Sequence, residues 1–179
     1  MHTVLRVMYF FVPAYLANMS PVLVGRRFNA LSITIDGGRT LSGKRILGDH
    51  KTWRGLLAAT IAGTLVFEMQ RLTYVAGLAR GLALIDYAAQ PLLLGLLMGI
   101  CTGVGDAAKS FFKRRIDIAP GAIWPVLDQL DFLFGAYLFV SVVYVPPLLP
   151  TLLSLPIIFV GNVAITAIGY YLGLKETWI

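Results

Sequence analysis

The chain has 179 residues, 58% of them hydrophobic and 13% charged, with a formal net charge of +6 and a mean hydropathy of +0.77. A soluble domain carries charge on about 25% of its residues, so this composition excludes one and points to an integral membrane chain with room for a handful of spans of roughly 20 residues. The bases sit in short segments between apolar runs, a placement that suits anionic headgroups or a nucleotide and gives no sign of nucleic-acid binding.

The pattern predicts an all-α bundle of five spans in one domain, residues 1–179. The first covers about residues 4–24 and is interrupted by Pro13, Asn18, Ser20 and Pro21. Arg26 and Arg27 follow it instead of leading it, the stop-transfer order and not that of a signal peptide. A loop comes next, reading from Asp36 as Asp-Gly-Gly-Arg-Thr-Leu-Ser-Gly-Lys-Arg-Ile-Leu-Gly-Asp-His-Lys-Thr-Trp-Arg-Gly. Its glycines let backbone amides approach an anion, while Lys44, Arg45 and Lys51 supply charge. The run from Lys51 and Thr52 to Gly55 opens the second span, about 53–69, so its amides lie at a helix N-terminus, a natural phosphate site. Trp53 reads as an interface anchor, and no carboxylate spacing singles out His50 as a base.

Residues 72–90 carry Arg80 and Asp86 and are expected to lie along the outer interface instead of crossing. The third span, about 91–108, has Gly95, Gly99 and Gly103 at four-residue spacing, a stripe that lets a neighbouring backbone come close and would hold Asp106 firmly. Cys101, the single cysteine, lies inside this apolar run and is expected as a buried thiol. If the helix continues past Gly105, Asp106, Lys109, Ser110 and Lys113 share one face. Asp128 and Asp131, three apart, head the fourth span, about 130–145, and repel each other unless a cation or nearby base neutralises them. Asp106, Asp128 and Asp131 could hold a divalent metal, and Lys109, Lys113, Arg114 and Arg115 could hold phosphate. Ionisable residues beside hydrocarbon mark a functional site by default. The fifth span is about 153–174.

Seven bases lie between spans one and two and four between spans three and four, against Arg6, Arg71 and Arg80 on the alternate side. Both basic loops are therefore expected in the cytoplasm, with the N-terminus outside and Lys175 inside.

Asp106, Ser110, Lys113-Arg114 and Leu127-Asp128-Gln129-Leu130-Asp131 resemble the signature of the CTP:phosphatidate cytidylyltransferases, integral membrane enzymes that make CDP-diacylglycerol. Lys51-Thr52-Trp53-x-Gly55 is similar to that family's second motif. The small size, the shorter loop between Arg114 and Asp128 and the Arg54 at a usual glutamate position look most like the archaeal branch, the CDP-archaeol synthases. The resemblance implies a multi-pass cell-membrane enzyme that transfers CMP from CTP to a geranylgeranyl ether-lipid phosphate, releasing pyrophosphate. It implies Mg²⁺ on Asp128 and Asp131, with Asp106 on the same or a second ion. Lys113 and Arg114 would hold the lipid phosphate or pyrophosphate, and Lys51, Thr52 and the loop glycines would cradle the triphosphate. Chain-length preference and assembly stay open, a homodimer included. Two alternatives remain at this stage. A CTP-dependent polyprenol kinase would direct attack at the γ-phosphorus, and a small transporter would perform no chemistry. A CDP-alcohol phosphotransferase fits less well, because Asp36-Gly37-Gly38-Arg39 only mimics its motif.

Overall fold

The computed structural model describes residues 2–25, 32–119, 122, 124 and 127–171. The expectations placed on Arg26, Arg27 and Lys175 lie outside them. The described chain is mostly helical: α1 (His2–Phe10), α2 (Val12–Gly25), α3 (Trp53–Val75), α4 (Leu93–Arg115), α5 (Leu127–Val140) and α6 (Leu148–Tyr171). A two-stranded ribbon, β1 (Thr40–Leu41) and β2 (Lys44–Arg45), rises from the loop between α2 and α3. Ser42 and Gly43 turn it with positive φ of 52° and 75°, the backbone a two-residue hairpin demands.

Helix α4 is the axis, packed by α2, α3 and α5, while α6 lies on α1 and α5. The glycine stripe explains the closeness. A Cβ on Gly99 would lie 2.6 Å from the Ala59 carbonyl oxygen and Thr60 Cα, and one on Gly63 would lie 2.7 Å from Gly99 Cα. Gly95 seats Phe67 and Gly103 seats Leu56 in the same way. On the other side α4 meets α5 backbone to backbone, since a Cβ on Gly105 would come within 2.7 Å of the Asp131 carbonyl oxygen. Residues that carry the chemistry are thus hung on a crossing that leaves no room for sliding.

Element boundaries depart from the expected ones. The first stretch breaks into α1 and α2 at Phe11, bent by 42°, because Pro13 brings no amide to the ladder there. Helices α3 and α4 run further than expected, to Val75 and Arg115. Helix α5 stops at Val140, five residues early. The chain turns through residues 141–143, the Tyr144 amide bonds back to Val140, and Pro146 and Pro147 bar continuation. Among the described residues α6 is long and apolar enough to cross a membrane, and the bent α1–α2 pair passes the same test as one unit. Segment 76–92 forms no long helix. It holds only the 3-10 turn Arg80–Leu82, tied to α1 by Arg6 Nε donating to the Gly81 carbonyl at 3.2 Å.

Candidate functional site

The last three turns of α4 and the start of α5 bring five charged side chains to one place, and Lys51 of the loop joins them. Asp106, Lys109 and Lys113 share a face of α4, as their spacing of three and four requires. Across the helix crossing stand Asp128 and Asp131, one turn apart on α5. Lys109 Nζ lies at the centre, 3.1 Å from Asp106 Oδ1, 3.1 Å from Asp128 Oδ1 and 2.9 Å from Asp131 Oδ2. Lys113 Nζ is 2.8 Å from both Asp128 oxygens and donates to the Ala122 carbonyl at 2.7 Å. Asp128 Oδ2 also accepts the Trp124 amide at 2.6 Å. Lys51, from the loop, pairs with Asp106 Oδ2.

Three carboxylates and three ammoniums balance, which is what makes the cluster tolerable at low exposure: the side chains of Asp131 and Lys109 are 6% and 14% exposed. Desolvating ions offsets much of their attraction, so such a cluster adds little to stability and is better explained by chemistry. Among the described residues no three acids are spaced to hold a metal as they stand. Yet all three meet one cation, Lys109, and buried Asp131 Oδ2 makes no well-directed hydrogen bond despite its nearness to that ammonium. Hard oxygen donors converging on a single positive centre fit a divalent ion such as Mg²⁺, with the flexible lysine giving way.

The other expected residues go elsewhere. Thr52 caps α3, its Oγ1 accepting the Gly55 amide at 3.2 Å, and Gly55 packs 3.5 Å from the Pro21 ring when given a Cβ. Ser110 is buried and outside the cluster. Arg114 is buried, donates to the Ala119 carbonyl at 3.3 Å, and leaves its Nε without a partner among the described residues. Lys44, Arg45 and Arg115 do not reach the acids at all: Lys44 pairs with Asp117 at 2.5 Å, Arg45 with Asp49 at 2.7 Å, and Arg115 grips the ribbon.

Asp36, which no spacing argument had singled out, organises that ribbon. Its buried carboxylate accepts the amides of Gly38, Leu47 and Gly48 at 3.0, 2.9 and 3.2 Å, and Arg45 Nη2 at 3.0 Å. Burial pushes its pKa up, but these four donors outweigh burial and hold the carboxyl well below the usual carboxylate range. The one signal in the sequence was Asp-Gly-Gly: Gly37 and Gly38 take positive φ of 56° and 80°, so the Gly38 amide folds back onto the carboxylate while the Gly37 amide donates to the Thr34 carbonyl at 3.0 Å.

Two recesses flank the charges. Between α2, α3 and α4 lies a small one of mixed lining, with Asn18, His50, Lys51, Thr52 and Asp106 as its polar wall and Pro21, Leu56 and Ala59 as its apolar one. Between α4 and α5 lies an apolar cleft of about 360 Å³, with Lys109 and Asp131 at its head and Val104, Phe134 and Leu138 along its walls.

The family model described as CarS-like, CDP-archaeol synthase, matches residues 1–179. A CDP-archaeol synthase of Halobacterium salinarum is 38% identical to this chain, covering 98% of it and 97% of its own length. One from Methanothermobacter thermautotrophicus is 40% identical, covering 98% and 94%. A solved structure described as an intramembrane enzyme for archaeal membrane lipids biosynthesis superposes with a TM-score of 0.69 at 31% identity, over 88% of this chain and 90% of that one.

Proposed function

The chain belongs to the CDP-archaeol synthase family, and from that membership and the charged site we propose that it transfers CMP from CTP to a geranylgeranyl ether-lipid phosphate. The observation that carries this is the convergence of Asp106, Asp128 and Asp131 on Lys109, between a recess of mixed lining and an apolar cleft. Water-borne nucleotide and bilayer-borne lipid can meet there from opposite sides.

A lipid phosphate oxygen attacks the α-phosphorus of CTP. The new O–P bond forms as the bond to the β-phosphate oxygen breaks, and pyrophosphate leaves with that electron pair. A phosphate monoester is already an anionic nucleophile, so the protein's work is positioning and charge neutralisation. Lys51, with the loop beside it, faces the recess and takes triphosphate oxygens. Lys109 stands at the head of the cleft, where the lipid phosphate arrives, Lys113 lies one turn on against Asp128, and Arg114 adds charge to the pyrophosphate side. Mg²⁺ held by Asp106, Asp128 and Asp131 would neutralise triphosphate oxygens and make the α-phosphorus more electrophilic. The acids would then serve as its ligands in place of accepting from their lysine partners.

The same proposal places five crossings, made by the α1–α2 pair, α3, α4, α5 and α6, in the cell membrane, with both basic loops in the cytoplasm. Purified protein given CTP, Mg²⁺ and either the ether-lipid phosphate or its free alcohol tests the chemistry. Turnover with the phosphate alone is expected. Comparable turnover of the alcohol would instead favour a lipid kinase.

A further inference from the structure

The hairpin loop is tied to α4 at two points, through Lys51 on Asp106 at its root and through Arg115 at its tip. At its root Thr34 bridges Thr52, the Ile35 amide donates to the Lys51 carbonyl at 2.8 Å, and the Trp53 amide donates to the Ile33 carbonyl at 3.0 Å. Through this short ladder Lys51 is held against Asp106. At its tip the Arg115 guanidinium donates to the carbonyls of Leu41, Lys44 and Arg45 at 2.8, 3.2 and 2.7 Å, and lies over the Phe111 ring at 5.1 Å. Asp36 knots root to tip by gathering the amides of Gly38, Leu47 and Gly48. Arg115 and Asp106 belong to one rigid helix, nine residues or about 14 Å apart. A loop fastened to both ends of that interval cannot carry Lys51 away from Asp106 without breaking a tie.

We infer that Arg115 and Asp36 are positioning residues: they preset Lys51 for the triphosphate and do not themselves bind substrate. The inference rests on the nucleotidyl-transfer function proposed above. Its physical content is preorganisation. A lysine on a loose loop must be ordered when substrate arrives, and that ordering weakens binding.

Arg115→Met keeps an unbranched apolar side chain and removes the guanidinium with its three hydrogen bonds to the hairpin. It is expected to raise the CTP KM tenfold or more while the lipid-phosphate KM stays within twofold. Arg115→Lys, able to meet one carbonyl, should recover part of the loss, and it also serves if the methionine variant does not accumulate. In a Lys51→Met background either substitution should change CTP KM, or equilibrium CTP binding if turnover is too slow, by less than twofold, since the residue it acts through is gone. Asp36→Asn should behave in the same way. Multiplying losses in the double variants would overturn the inference by showing direct substrate contact. Unchanged CTP KM with lowered thermal stability would overturn it by showing a purely structural role. Absence of wild-type turnover with CTP and lipid phosphate would overturn the parent function instead, so the two failures are distinguishable.

Discussion

Lys109 is the side chain on which the site turns. A lysine between three carboxylates is an internal counter-ion, and under the proposed function it would yield when a cation and a triphosphate took its place. Asp128→Asn and Asp131→Asn each remove one anionic oxygen donor without changing size. Each is expected to lower nucleotidyl transfer by about 10² or more, the usual effect of losing one electrostatic contact to developing charge. The variants should still fold in detergent, because Lys109 keeps two carboxylates in either case. Near-normal turnover in either one would remove that residue from the metal set. Asp36 makes a different prediction. Its carboxyl titrates below the ordinary range, so its contribution to stability is complete above the unfolded carboxylate value of about 3.9 and is lost only as pH falls through the lower folded value. Hydrogen exchange at the Leu47 and Gly48 amides should therefore show equal protection at pH 5 and pH 7, after correction for intrinsic rates. Asp36→Asn should lose it at both. Protection in the wild type that fades between pH 7 and pH 5 would contradict the four-donor account.

Helix α4 carries both the packing and the chemistry, and its glycines link the two. Gly99→Ala puts a methyl 2.6 Å from backbone atoms of α3, which cannot rotate aside. A loss of about 1–3 kcal/mol is expected, read as a lowered melting temperature in detergent. Gly161→Ala on α6, whose Cβ would sit 3.8 Å from Tyr15 Oη, should be nearly neutral. Equal melting temperatures for the two would show that the crossing is looser than drawn. The four-residue spacing of these glycines was readable directly, as was the shared face of Asp106, Lys109 and Lys113, because helical periodicity is local. Ser110 shows the limit of that rule: it lies near the same face, yet the crossing with α5 decides which side chains meet and leaves it out. Arg115 and Arg45 were expected on phosphate from charge alone. Their carbonyl and carboxylate partners lie on the hairpin, up to 74 residues away, and such contacts leave no trace in spacing. The early end of α5 was likewise hidden, since apolar residues continue past Val140 while the backbone turns.

At the scale of the whole molecule, the charges of the site gather at one end of the bundle, and apolar side chains cover much of the helices' outer faces. Leu57, Ile61 and Leu65 on α3, and Leu138 on α5, are each about half exposed or more, as expected of surfaces that meet hydrocarbon. Helix α5 has 14 residues, about 21 Å of rise against a core of about 30 Å. As one of the proposed crossings it would need the bilayer to thin or its flanks to extend it, which would draw the acids at its start toward the lipid phosphate level. The proposed topology is checked with single cysteines in a Cys101→Ser background, at exposed Ser42 in the hairpin and exposed Leu149 at the start of α6. An impermeant thiol reagent should label position 149 in intact cells and position 42 only after permeabilisation. The reverse pattern would invert the bundle.

The central claim is that one recess of mixed lining and one apolar cleft bring a lipid phosphate to the α-phosphorus of CTP at the Asp106–Asp128–Asp131 cluster. It is tested most directly by following the phosphorus. With CTP labelled at the α-phosphate, label should enter the lipid product. With CTP labelled at the γ-phosphate, it should appear only in pyrophosphate. Label passing from the γ-phosphate into lipid would contradict the account.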